Sequence, residues 1–156
     1  MTSSSSARTR SSMSAGDSQH RRVFSVLTGL AALAVVLQGL WAGLFLQYHD
    51  EAHQAQRESW IGVHALGGEV AIALAVLATI WAIWRLRSRG DLVIGAAALT
   101  VLLIIVAYIG GLISDDDKDS LIPLHIPLAL LTLSVAVWLP LRATLHRPSV
   151  TESQRG

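Results

Sequence analysis

Four long stretches of the chain are almost free of charge, and the charged residues collect in the short segments between them. Val23 to Leu46, Leu92 to Ser114 and Leu121 to Leu141 hold no Asp, Glu, Lys or Arg, and Trp60 to Trp84 holds Glu69 alone. A soluble helix of such length needs a polar face, whereas a run of about 20 apolar residues crosses the ~30 Å hydrocarbon core of a bilayer. The pattern therefore predicts an all-α fold with four transmembrane spans, over residues 23–47, 60–84, 92–114 and 121–141. The connections are short, which favours an antiparallel four-helix transmembrane bundle in up-down-up-down order.

The ends of the chain read differently. Residues 1–20 contain eight serines and no apolar run, so burial cannot offset the entropy of ordering them, and a disordered tail is expected. The stretch that follows is too long for the apolar core of a secretory signal peptide and lacks a clean small-residue cleavage site, so it is assigned to the first span. Residues 143–156 are expected to form a second flexible tail.

Charge fixes the expected orientation. Ten of the twelve basic residues flank one end of the spans: Arg8, Arg10, Arg21, Arg22, Arg85, Arg87, Arg89, Arg142, Arg147 and Arg155. Only Arg57 and Lys118 lie at the other end. Such asymmetry predicts a multi-pass membrane protein with both termini cytoplasmic. Trp41 and Trp60 then mark the outer interface, and Trp81, Trp84 and Trp138 the inner one. The same basic residues are explained by topology and anionic lipid, so they lend no support to nucleic-acid binding.

Composition narrows the chemistry. With no cysteine, disulfides, thiolate metal ligands, iron–sulfur clusters and nucleophilic thiols are excluded. No phosphate-cradling glycine loop, catalytic triad or zinc-protease helix is present. Histidine is the remaining ligand of interest. Trp60-Ile61-Gly62-Val63-His64 opens the second span and Leu121-Ile122-Pro123-Leu124-His125 opens the fourth, while Ala42-Gly43-Leu44 and Gly110-Gly111-Leu112 close the spans before them. This weak internal repeat implies two copies of one helical hairpin.

His64 and His125 each lie about four residues inside the outer end of a span, ~6 Å below the same boundary at 1.5 Å per residue. On diagonal, parallel helices both rings can point to the bundle axis, the geometry of a bis-imidazole haem site. On the His64 face, Gly67, Gly68, Ala71, Ala75, Ala78 and Ala82 follow at helical spacing and outline a smooth groove. Pro123 and Pro127 bracket His125, and Pro127 is expected to bend the helix near the ring. Two plainer accounts stay open: a histidine near a span end can snorkel to the interface, and a face of small residues is the usual means by which membrane helices approach closely. His49 and His53 have the i, i+4 spacing of a metal pair, although two ligands are few for a divalent ion.

At these residues the sequence resembles the four-helix halves of heme A synthase and other small membrane b-type cytochromes. It is also similar to an uncharacterised family of small four-span bacterial membrane proteins whose first span ends in a Gln-Gly-x-x-Ala-Gly pattern. Here that pattern is Gln38-Gly39-Leu40-Trp41-Ala42-Gly43, followed by His64 with Gly67 and by Leu124, His125 and Pro127. The resemblance covers roughly residues 22–142 and implies that His64 and His125 are the axial ligands of a b-type haem, in an electron carrier or accessory protein rather than an enzyme. It departs from the synthase in having one histidine pair, where the synthase joins two such units. Arg57 or Lys118 is then expected to pair with the haem propionates. The competing expectation is a cofactor-free structural or assembly subunit of a larger membrane complex, respiratory or other, with its small-residue faces used for packing.

Glu69 and Gln38 lie at similar depth on adjacent helices, ~13 Å inside the outer boundary. A carboxyl at that depth needs a partner, and Gln38 is the expected one, as a structural hydrogen bond or as part of a proton relay. Tyr108 falls near the histidine layer, where its hydroxyl is expected either at a haem edge or in the interfacial belt.

Overall fold

The computed structural model describes residues 4–48, 51–116 and 118–145, with side-chain surroundings from residue 16 onward. Four helices make up the fold: α1 (Ser4–Gln47), α2 (Gln54–Arg85), α3 (Gly90–Asp115) and α4 (Ile122–Thr144). Single 3₁₀ turns at Glu51–His53 and Asp119–Leu121 lead into α2 and α4. No strand occurs among the described residues. All four helices contain segments long and apolar enough to cross a membrane.

Two boundaries differ from those expected. The helix of α1 already runs from Ser4, through most of the serine-rich segment assigned to a disordered tail; extending an existing helix avoids the cost of nucleating a new one. The end of that segment is also engaged, because Trp81 Nε1 donates to the carbonyl of His20 at 3.0 Å and the two rings meet edge to face. At the other end of α2, the helix starts at Gln54, well before Trp60. The polar first turns support themselves there through a Gln54 to Glu58 hydrogen bond of 2.9 Å at i, i+4 spacing. The expected C-terminal tail falls beyond the described residues from 146 onward.

The helices pack in a ring: α1 lies against α2 and α4, and α3 lies against the same two. Contacts pair rising numbers on one helix with falling numbers on the next. Gln38 meets His64 while His20 meets Trp81; Gly110 faces His125, Gly95 faces Leu139, and Asp91 binds Arg142. The interior is rich in small residues. Ala71, Ala75, Ala78, Ala82, Ala96, Ala136 and Ala143 pack around Phe24, Leu86, Leu92, Leu99 and Leu139. Large side chains stand outside instead, so that Ile94 is 72% exposed while neighbouring Ala96 is wholly covered. In water this arrangement would forfeit burial of the larger apolar groups; next to lipid tails it costs nothing, and small interior residues let backbones approach closely.

One ionic cluster ties the helix ends together. Arg89 grips both carboxylate oxygens of Asp91 at 3.1 Å, and Arg142 Nε donates to the same carboxylate at 2.9 Å from α4. Asp91 also sits in the first turn of α3, where a negative charge is favoured by the helix dipole. Hydrogen bonding to Asp91 raises the pKa of the Arg89 guanidinium above its ordinary value.

Candidate functional site

His64 projects from α2 toward α1. Its Nδ1 lies 3.2 Å from the backbone carbonyl of Gln38, and its ring meets that of Phe45 edge to face at 5.6 Å. The Gln38 side chain reaches the same place. With its amide oriented to match donors with acceptors, the nitrogen lies 2.8 Å from the His64 carbonyl and 2.9 Å from Nδ1, while the oxygen accepts from the Gly68 N–H at 2.9 Å. Two proton arrangements are thus available to the ring. Nδ1 either donates to the Gln38 carbonyl, which leaves Nε2 with its lone pair, or accepts from the Gln38 amide, which puts the ring proton on Nε2.

His125 projects from α4 toward α3, where the ring lies over Gly110: a β-carbon there would come within 3.2 Å of His125 Cε1. Its Nδ1 is buried with no hydrogen-bond partner among the described residues.

Gly67, Gly68 and Ala71 do not line an open groove. Gly67 is buried beneath the Trp41 ring and the Gln38 side chain, and Ala71, Ala75, Ala78 and Ala82 are covered in the core. Gly68 has open space on its side-chain side, and its N–H is used by Gln38. The small face is the surface against which α1 packs, and Trp41 fills the gap that the missing β-carbon leaves. Sequence spacing identified the face but not its occupant; Trp41 was discoverable, since it stands one turn after Gln38 on the same side of α1.

Glu69 is not the partner of Gln38. It is exposed on α2 and makes no hydrogen bond or ion pair within the described residues. At 100° per residue it stands opposite the Gly67 and Ala71 face that packs on α1, so equal depth cannot bring the two together. Tyr108 is 67% exposed and lies outside the bundle, on a surface groove of about 250 Å³ shared with Gly111, Asp115 and Asp116. Arg57 is exposed in the first turns of α2, and Lys118 pairs with Asp116 at 3.3 Å. His53 stacks near Tyr48 at 5.6 Å, while His49 lies outside the described residues. Pro127 leaves α4 a single continuous helix. Among the described residues, no group of three or more His, Asp or Glu is arranged to hold a metal ion.

No family model, curated protein or solved structure matches this chain.

Proposed function

We propose that this is a small bacterial inner-membrane protein, an antiparallel four-helix bundle with both termini cytoplasmic, that holds one b-type haem through His64 and His125. Haem held there, near the outer face, would serve electron transfer or haem handling, with lipid around the bundle and a redox partner or respiratory complex as its electron-exchange partner. A single observation carries this reading: the two histidines occupy equivalent places in two hairpins, His64 with Nδ1 3.2 Å from the Gln38 carbonyl and His125 with its ring against Gly110 of the preceding helix. An imidazole whose Nδ1–H is directed at a carbonyl is fixed in the tautomer that presents Nε2 to a metal.

His64 and His125 are the residues that would hold the iron. The residues present do not fit a macrocycle lying on Gly67, Gly68 and Ala71, which Trp41 and α1 already cover. When bound, the haem supplies one-electron chemistry at iron. The chain's own residues do the rest: the Gln38 carbonyl, by accepting from His64 Nδ1, would leave Nε2 free, Gly110 admits the His125 ring, and exposed Arg57 offers a charge for a propionate. The test is the absorption spectrum of the reduced protein beside His64→Ala and His125→Ala. Six-coordinate low-spin haem in the wild type, lost in each variant, is expected; its survival in both would dismiss these ligands. Reporter fusions at Ser88 and within residues 54–58 test the orientation, and a cytoplasmic outer loop would reverse it.

The covered face of α2 favours one alternative, a cofactor-free structural or assembly subunit whose small residues serve packing alone. Protein purified in mild detergent without a Soret band, even after haem supplementation during expression, would select it.

A further inference from the structure

The outward side of α2 carries a feature that neither the packing nor the histidine pair uses. Glu69 stands there within the apolar stretch, exposed and without a hydrogen-bond or ionic partner among the described residues. Gly62, Ala65 and Ala73 line that side and are exposed, with the larger exposed Leu66 and Val70 at its margins, and a β-carbon on Gly62 would meet nothing within 4 Å. A carboxyl group facing hydrocarbon is expensive in either protonation state unless another polar group reaches it. The small neighbours leave room for a second backbone to come that close.

We infer that this face is the contact between two copies of the chain, with the Glu69 side chains hydrogen-bonded to each other at a two-fold axis. Two copies inserted in the same orientation are related by an axis along the membrane normal, and each residue near that axis meets its own counterpart at its own depth. A second copy is therefore the partner that necessarily brings a matching group to Glu69. A protonated carboxyl is also self-complementary, since it offers one O–H donor and one carbonyl acceptor. The rest of the stripe continues in Val76 and Ile80, both exposed and apolar, which would extend the contact toward the inner face. The inference does not depend on haem.

The absence of cysteine from the chain makes the test simple, because a single introduced thiol can form only an intermolecular disulfide. Ala65→Cys and Ala73→Cys flank Glu69 by one turn, and Leu130→Cys on the outward side of α4 serves as control. Oxidation in native membranes should cross-link the first two and leave the third monomeric. Adding Glu69→Leu should lower the dimer yield about ten-fold, whereas Glu69→Gln should retain it, because a carboxamide also donates and accepts. The proposal fails if neither α2 thiol cross-links, if Leu130→Cys cross-links equally, or if Glu69→Leu leaves the yield unchanged. Because the haem spectrum is read separately, a colourless dimer and a red monomer are distinct results.

Discussion

Trp41 occupies the space beside Gly67 that any larger residue would claim. Two adjacent glycines on α2 should therefore respond in opposite directions to the same change. Alanine is favoured over glycine in a helix by about 1 kcal/mol, but forcing a methyl into a filled site costs about 1–3 kcal/mol. Gly67→Ala should lower the unfolding temperature in detergent, and Trp41→Leu should restore part of the loss. Gly68→Ala, with nothing within 4 Å of the new atom, should be neutral or stabilising. Equal destabilisation by both would show that Trp41 does not fill the gap.

Gln38 links α1 to the backbone of α2 through the His64 carbonyl and the Gly68 N–H. Gln38→Leu should cost about 1–3 kcal/mol, because the partners are left in an apolar setting. Double-mutant cycles give the sharper result. Gln38→Leu combined with Glu69→Gln should be additive within ~0.5 kcal/mol, as for residues that share no contact. Coupling beyond that would restore the pair inferred from depth.

Gly110 bounds the His125 ring on one side. Gly110→Ala places a methyl 3.2 Å from Cε1, so the ring must move by a few tenths of an ångström. Under the haem reading, this variant should show lower occupancy or a mixed-spin spectrum at nearly unchanged thermal stability. Gly111→Ala, whose β-carbon meets only the Asp115 carboxylate at 3.9 Å, should keep the wild-type spectrum.

Asp91 is shared by two arginines, of which only Arg142 comes from another helix. Both pairs remain about a third exposed, so Arg142→Gln should cost only about 0.5–1 kcal/mol. The cost should shrink as salt rises from about 0.05 M to about 0.5 M. An unfolding temperature whose difference from wild type ignores salt would argue against an electrostatic origin.

The helices were legible because a continuous apolar run is a statement about composition, which tertiary contacts do not alter. Depth was legible for the same reason, since it follows from counting residues at a fixed rise. Azimuth was harder. Gln38 and Glu69 share a depth, yet the side of α2 that packs on α1 is set by where small residues meet Trp41. The wheel already held the answer: once Gly67 and Ala71 are taken as the packed side, Glu69 points away. The start of α2 was missed because polar residues 54–59 give no apolar signal, although they can carry helical hydrogen bonds as well as apolar ones.

Thr79 on α2 and Thr100 on α3 lie 3.0 Å apart, oxygen to oxygen. Each hydroxyl is also placed to donate to the carbonyl one turn back, Thr79 to Ala75 at 2.8 Å and Thr100 to Ala96 at 3.1 Å. Three contacts compete for two protons. Either helix can therefore lend its hydrogen to the other only by releasing its own carbonyl, and the two choices are nearly equivalent. Such a degenerate pair links α2 to α3 while adding little net strength, and replacing one threonine by valine removes the contact between the helices and leaves the other hydroxyl to its own helix carbonyl.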